Sequence, residues 1–518
     1  MNLAHKENAI RQWIALPLGV FFLILIHAVT IGITDDEAYY WVLSRHLDWG
    51  YAYHPPMVAW WIAASRSFFE IFETPQNFYW VRIMATRFPV ALSGGALFFL
   101  ILFWLKQMGL TQKKLRWATL GLISFAGFFA GAWMMVPDVP LFLGLMLQWL
   151  ATWNLCFSLG RLDEGQARVR GAGIWFGALF CGVLLSILSK YSGVLMAFSA
   201  IVSLFLWAPR LEKWRGIFAA VLGILVASFP ILIWNSQHHW VSILYQLHDR
   251  HQGNILWKRF FGFWAAQIAI AGPALFVFGV FTFRRIFEPA RLSRFVFVWA
   301  LPPALVFGIQ PLFGSFKPHW ILVAWFPLAL EMIVRWATAG VKDESRGIFR
   351  LWRIHLGFGL PLVVLFWLNC HFPIQGFLTR AALGRDPEPK WDVTNDLYGW
   401  RDLSDFVKEK MGQEGLDYPV VGSRYQTAAQ AAFAWPDPER VTQIPRNERE
   451  WEEWPNLPVV DGPSAGWTPL ISPVLYVACN RYTQEPQFPG AKCDLLGVLE
   501  KSRFSLLAKQ IKVWKCRP

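Results

Sequence analysis

Three adjacent carboxylates, Asp35, Asp36 and Glu37, follow at once on the apolar run LPLGVFFLILIHAVTIGI and open the aromatic segment AYYWVLSRHLDW. Charge at the edge of an apolar run is costly to desolvate, so acids held there need a reason. Polar residues recur at the ends of other apolar runs. They are His54 in an HPP turn, Arg82 and Arg87, Asp138 between the prolines of VPDVP, Lys190 and Tyr191, Asn235 and His238 in WNSQHHW, and Lys317 and His319 in FGSFKPHW. This mix of residue types suits one kind of chemistry. A carboxylate accepts a proton from a hydroxyl, while lysine and arginine hold a phosphate and absorb the charge that builds on it. The matching ligand has an anionic head and a greasy tail.

Each of these residues also has a structural reading. Asp138 is equally placed to cap the helix that follows it, and Lys190 to snorkel to lipid headgroups. An acid just past a span is commonly no more than hydrated. Asp36 stands out because it sits among three acids at the start of a stretch that reads as a helix lying on the membrane surface. His238, His239, His248 and His251 match no metal-ligand spacing, and a divalent metal on Asp36 or Asp138 is left open.

The elements that position these residues must be membrane spans. Of 518 residues, 55% are hydrophobic and only 16% charged, which excludes a soluble enzyme of ordinary composition. Apolar runs of about 15 to 24 residues predict about eleven spanning helices. They cover roughly Leu16–Ile33, Phe88–Trp104, Trp117–Met135, Val139–Ser158, Gly173–Leu188, Val194–Trp207, Ile217–Trp234, Phe260–Phe283, Phe295–Ile309, Trp320–Val334 and Ile354–Leu368. No small-residue cleavage site follows the first run, so it is expected to stay as a span.

Alternate connections carry the basic clusters. These are Lys106, Lys113, Lys114 and Arg116; Arg161, Arg168 and Arg170; Arg210, Lys213 and Arg215; Arg284, Arg285, Arg291 and Arg294; and Arg335, Lys342, Arg346, Arg350 and Arg353. Lys6 and Arg11 precede the first span. The positive-inside rule places all of them, and the N-terminus, in the cytoplasm. The net charge of +13 then reads as a topology signal, and nucleic acid is not an expected partner.

An odd number of spans carries the C-terminus to the opposite side, together with the first outer loop, residues 34–87. Residues 1–371 are thus expected to form a transmembrane catalytic domain and 372–518 an extracytoplasmic α/β domain. In the latter, YPVVGS and SPVLYVAC read as strands and GWRDLSDFVKEKM as an amphipathic helix. Cys156, Cys181 and Cys370 lie in or beside spans, where buried thiols are expected. Cys479, Cys493 and Cys516 lie in the outer tail, where oxidation is open to them, and Cys479–Cys493 is the expected bridge.

Taken together, these stretches resemble a known family. DEAYYW followed by YxxHPP, the PD turn, the KY after a span, WNxQHxW and KPHW are similar to motifs of bacterial GT-C glycosyltransferases. Those enzymes are related to protein O-mannosyltransferases and to the aminoarabinose and galacturonic acid transferases that modify lipid A and its core. LYGWRDL and SRYQTAAQAAFAW resemble that branch's C-terminal domain, so the resemblance runs through nearly the whole chain.

The resemblance implies a polytopic α-helical GT-C fold and transfer of a sugar, with inversion, from a polyprenyl-phosphate donor. The acceptor would be an envelope glycolipid, lipid A or lipopolysaccharide core, reached at the periplasmic face of the bacterial inner membrane. The family's catalytic acid maps onto Asp36, with Glu37 beside it and Asp138 in the PD turn. Its phosphate-binding cations map onto Lys190 and Arg87. His54, Tyr191, Asn235, His238, Lys317 and His319 match motif positions and complete the expected substrate site. No glycine-rich phosphate loop is present, so a nucleotide-sugar donor is not indicated. Two other readings stay open: a transporter or flippase for a lipid-linked sugar, disfavoured by the lack of an internal repeat, and a transferase acting on protein Ser/Thr.

Overall fold

The computed structural model describes residues 3–157, 171–248, 255–284, 290–314, 316–340, 345–444 and 467–518. The basic residues Arg161, Arg168, Arg170, Arg285 and Lys342, and also His251, lie outside the described residues. Hydrocarbon offers the backbone no hydrogen-bond partner, so an apolar chain must satisfy its peptide groups within helices. Up to His371 the described chain is almost entirely helical. It begins with α1 (Leu3–Val29), the short α2 (Asp35–Leu43), α3 (Met57–Phe69) and α4 (Phe78–Gln107). There follow α5 (Gln112–Ile123), α6 (Ala126–Phe129), α7 (Asp138–Phe157), α8 (Ala172–Ser189), α9 (Gly193–Trp207) and α10 (Arg210–Gln237). The bundle closes with α11 (Val241–Leu247), α12 (Trp257–Ile270), α13 (Pro273–Arg284), α14 (Arg291–Ile309), α15 (Leu322–Thr338) and α16 (Ser345–His371).

Among the described residues seven helices are long and apolar enough to cross a bilayer, or eight if α12 and α13 act as one span. Two further apolar helices, Ile14–Val29 and α9, are shorter. The chain is therefore a multi-pass membrane protein, and two of the expected apolar runs are not single straight helices. The run Phe260–Phe283 is two helices bent by 114°, where Gly272 takes a positive φ of 84° ahead of Pro273. The run Trp117–Met135 is not one helix either. It stops at Ile123, resumes for a turn in α6, and is irregular before α7. Such backbone is tolerated at depth only where protein buries it. Here α16 crosses so closely that a Cβ on Gly359 would stand 1.8 Å from the Ser124 carbonyl oxygen.

Small residues set the tightest helix crossing. A Cβ on Gly144 of α7 would lie 2.7 Å from the Gly182 carbonyl oxygen of α8, and one on Gly182 would lie 2.8 Å from that of Gly144. The approach lets Gln148 donate to the Gly182 carbonyl at 3.1 Å and to Ser186 Oγ at 2.8 Å. Small faces joined by a polar side chain are how spans associate without a hydrophobic driving force, at about 0.6 kcal/mol per hydrogen bond.

Beyond His371 the chain forms α17 (Ile374–Leu383), α18 (Leu403–Met411), α19 (Tyr425–Ala434) and a five-stranded mixed sheet. The strands are β1 (Val420–Gly422), β2 (Val441–Gln443), β3 (Val474–Cys479), β4 (Lys492–Arg503) and β5 (Leu506–Arg517), in the order β2-β1-β3-β5-β4. β1 runs parallel to β2 and β3, with α19 crossing over between β1 and β2, while β5 is antiparallel to β3 and β4. The strands and helix read from YPVVGS, SPVLYVAC and GWRDLSDFVKEKM appear as β1, β3 and α18.

Strand order also corrects the cysteine pairing. Cys493 faces Cys516 across β4 and β5, and these two form the disulfide, while Cys479 is a buried free thiol. Cys479 lies on β3 opposite Ile511, with β5 between it and β4. Two strand spacings of about 4.8 Å each exceed the reach of a disulfide. Cys156 and Cys370 are buried as expected, whereas Cys181 is exposed on the bundle surface.

The first loop and the C-terminal domain are built as one unit. The α2 segment does not lie on the membrane surface: Glu37 through Leu43 are all buried, because α19 packs over them. Trp41 is surrounded by the guanidinium groups of Arg45, Arg66 and Arg82, at 5.4, 5.4 and 4.9 Å from its ring. Arg82 of α4 also donates to the carbonyls of Phe433, Trp435 and Pro436 at 3.0, 2.8 and 3.2 Å, clamping the end of α19. Gln430 of α19 donates to the Ile33 carbonyl at 3.1 Å and to Asp35 at 2.9 Å. Gly32 is required at this junction, since a Cβ there would stand 1.9 Å from the Leu397 carbonyl oxygen.

Candidate active site

Beneath the C-terminal domain lies a cavity of about 1320 Å³ that runs down into the helical bundle. Its deep wall is apolar, formed by Phe98 and Ile101 of α4, Leu122 of α5, Phe128 of α6, Phe142 of α7, Phe326 and Leu330 of α15 and Phe366 of α16. The break between α5 and α6 faces this space, so a feature that a hydropathy pattern cannot show shapes the cavity. Polar residues gather at the end under the domain. They come from the start of α2, the HPP turn, the start of α7, the α8–α9 turn and the turn before α15.

Asp36 sits in the first turn of α2, half-exposed to the cavity, with its Oδ2 3.3 Å from Lys317 Nζ. Across the cavity Asp138, the first residue of α7, holds Lys190 Nζ through both carboxylate oxygens at 3.0 and 3.1 Å. His54, Tyr191 and His319 line the same space. Tyr191 is steered by its hydroxyl contact with Ser242 at 2.6 Å, and burial pushes its phenol pKa up. Asp36, Asp138, His54, Lys190, Tyr191, Lys317 and His319 are thus brought together by elements that are remote in sequence.

Four expected residues take other places. Glu37 is fully buried, does not line the cavity, and has both oxygens occupied. Its Oε1 accepts from Arg87 Nε at 2.8 Å and the Met135 amide at 2.9 Å; its Oε2 accepts from Arg87 at 2.7 Å and the Thr34 hydroxyl at 2.9 Å. Thr34 and Glu37 also form a capping box that starts α2. Arg87, equally buried, gives its remaining donors to the carbonyls of Ala28, Ile31 and Gly32 at 2.5, 3.0 and 2.7 Å. A guanidinium has five N–H donors, and all five are used, so Arg87 has none left for a phosphate. The pair is a staple between α1, α2, α4 and the unwound stretch before α7.

Asn235 and His238 are likewise not cavity residues. Asn235 accepts from the Ile243 amide at 3.1 Å and bonds Tyr191, while His238 stacks on Trp234 with ring centroids 4.1 Å apart. They brace the segment behind Tyr191.

The sequence reading missed the roof. Asp35, Asp396, Tyr425, Gln426, Arg481 and Tyr482 line the cavity as well. Gln426 lies in the first turn of α19, just past β1, and Arg481 two residues past β3, so the available signal was polar side chains soon after the strands read from YPVVGS and SPVLYVAC. Burial, and then Asp396, raises the Asp35 carboxyl to about 7, against the opposing pull of Lys509 and Gln430. For a divalent cation the fit is poor: Asp36 and Asp138 each face a lysine, and among the described residues no group of three His, Cys, Asp or Glu converges.

Comparison with known proteins agrees with this architecture. The structure of ArnT from Cupriavidus metallidurans bound to undecaprenyl phosphate superposes with a TM-score of 0.60 at 14% identity, covering 97% of this chain and 98% of that one. Its apo form gives 0.60 at 12% identity, over 98% of both chains. Lipid A galacturonosyltransferase RgtD of Rhizobium johnstonii is 25% identical over 294 residues, 56% of this chain. The chain has the ArnT fold and shares distant sequence similarity with RgtD. The match to RgtD spans 58% of that protein's length. No protein-family model matches the chain. In this chain, residues of the C-terminal domain such as Tyr425, Arg481 and Tyr482 line the same cavity as Asp36.

Proposed function

We propose that the chain is an inverting glycosyltransferase that moves a sugar from a polyprenyl-phosphate donor to lipid A or lipopolysaccharide core, at the periplasmic face of the bacterial inner membrane. One observation carries the reading: a carboxylate and two lysines, Asp36, Lys317 and Lys190, stand at the polar end of a cavity whose depth is lined by aromatic and aliphatic side chains. The isoprenoid tail occupies the apolar depth, and the phosphate lies by Lys190 and Lys317. The acceptor hydroxyl attacks the anomeric carbon on the face opposite the phosphate. Its proton passes to Asp36 as the new C–O bond forms. The bond from the anomeric carbon to the phosphate oxygen breaks, and its electron pair leaves with the phosphate. Fixed cations stabilise that developing charge more than the ground state, which is what raises the rate. Asp138 keeps the Lys190 ammonium aimed, and the Glu37–Arg87 staple fixes the helix turn that presents Asp36.

Two features support the orientation. A disulfide at Cys493–Cys516 suits an oxidising compartment for the C-terminal domain. The basic residues Lys106, Arg116, Arg210, Arg335 and Arg346 lie at the helix ends away from that domain, as the positive-inside rule requires. A flippase would place charge near the bilayer midplane, whereas the polar lining here gathers at one end. RgtD and ArnT, by their names and bound lipid, support lipid A and undecaprenyl phosphate as substrates. The test is purified protein in nanodiscs with undecaprenyl-phosphate-linked sugars and lipid A. Release of undecaprenyl phosphate in step with glycosylated lipid A is expected. Movement of intact donor between leaflets without product would refute the proposal.

A further inference from the structure

The mechanism above uses nothing from the roof of the cavity, yet the roof is polar and organised. β1 is parallel to the strands on both its sides; the chain crosses from β1 to β2 on one side, while β3 lies on the other. The gap between the carboxyl ends of β1 and β3 is therefore a topological switch point, the place where open parallel sheets bind ligands. Tyr425 and Gln426 follow β1, Arg481 and Tyr482 follow β3, and all four line the cavity that holds Asp36.

The charge there is unbalanced. Arg481 and Lys509 both pair with the single carboxylate of Asp396. The Lys509 side chain is only 2% exposed, whereas that of Arg481 is 30% exposed, so Arg481 alone presents the excess positive charge to the cavity. Burial, and then Asp396, raises the Asp35 carboxyl to about 7, so at neutral pH it supplies only part of a negative charge and leaves an excess of positive charge. One terminal nitrogen of Arg481 serves Asp396; its guanidinium makes no other hydrogen bond among the described residues. On the same cavity lining, Gln426 Oε1 is buried with no hydrogen-bond partner among the described residues. The amide can be turned to offer its NH₂ instead.

We propose that this crevice is a second anion subsite, in which Arg481, with Gln426 and Tyr482, binds a phosphate or carboxylate carried by the glycan side of the reaction. The proposal rests on the transferase reading. Two sources share this chemistry: phosphate on the acceptor glycolipid, or carboxylate on the donor sugar. The subsite is separate from the Lys190 position, because the two lie on different walls and have different carboxylate partners, Asp396 and Asp138.

The test is native mass spectrometry of the full chain with paired probes. One pair is a diglucosamine bisphosphate lipid and its fully dephosphorylated form; the other is undecaprenyl phosphate carrying a uronic acid or a neutral hexose. The charged member of at least one pair should bind about tenfold or more tighter, the worth of one charge-assisted hydrogen bond. The pair that shows the preference names the source. In Arg481→Gln the ratio falls to near one, and Arg481→Lys keeps part of it. Gln426→Leu, which breaks no ion pair, reduces it several-fold and guards against loosening of the Asp396 cluster. Lys190→Met weakens plain undecaprenyl phosphate instead. Preference surviving in Arg481→Gln, or absent from both pairs in the natural protein, overturns the subsite. Failure of the transferase reading would show separately, as donor binding without sugar transfer.

Discussion

Arg87→Met separates a structural cation from a substrate-binding one. Arg87 and Glu37 are both fully buried, and the guanidinium makes five hydrogen bonds, two of them to the carboxylate. The substitution strands the Glu37 carboxylate away from water and leaves three carbonyls without donors. Removing one member of a buried pair costs about 3–5 kcal/mol, most of it the penalty on the charge left behind. The assay is apparent melting at a fixed scan rate in detergent, because unfolding of a protein this size is expected to be irreversible. Arg87→Met should melt well below the natural protein. Glu37→Gln combined with Arg87→Met should recover part of the loss, with a coupling of about 1–3 kcal/mol. An Arg87→Met protein that melts normally but no longer binds undecaprenyl phosphate would refute the staple and restore Arg87 as a donor-binding residue.

Other predictions follow from the same contacts. Gly32→Val should weaken docking of the C-terminal domain, seen as faster limited proteolysis of residues beyond 371, because its Cβ would meet the Leu397 carbonyl at 1.9 Å. Alkylation of the folded, unreduced protein followed by peptide mapping should find Cys493 and Cys516 joined and Cys479 unmodified. Opening that bridge, with its separation of 23 residues, should cost about 3 kcal/mol. Asp35 is raised from 3.8 to about 7 in the folded protein, so its contribution is full below pH 4 and is lost as pH rises through 7. The natural protein should therefore lose melting temperature between pH 5 and pH 8, and Asp35→Asn should lose less; an equal loss in both would remove Asp35 as the cause.

Legibility in the sequence followed range. Asp36, Asp138, Lys190, Lys317 and His319 stand at the ends of apolar runs, and that local pattern placed them at one end of the bundle. Glu37 is a neighbour of Asp36 in sequence, but successive helix residues point about 100° apart, so the two acids face different surroundings. Arg87 carries the charge a phosphate site needs; only the fold shows that Glu37 and three carbonyls consume it. The helix break at Ser124 depends on α16 crossing there, and apolar run length carries no trace of it. Cys516 rather than Cys479 pairs with Cys493 because β5 lies between β3 and β4, a long-range order that spacing does not encode. Arg481 and Gln426 line one cavity for the same reason: β3 returns beside β1 from far along the chain.

The most direct measurement of the central claim is single-turnover sugar transfer by Asp36→Asn, with donor binding measured on the same preparation. The substitution keeps the side chain's size and removes only its ability to take a proton. Donor affinity should stay within a few-fold, since the lysines remain, while transfer falls by about 10²–10⁴-fold, the range of positioned acid–base catalysis. Near-normal transfer by Asp36→Asn would contradict the account.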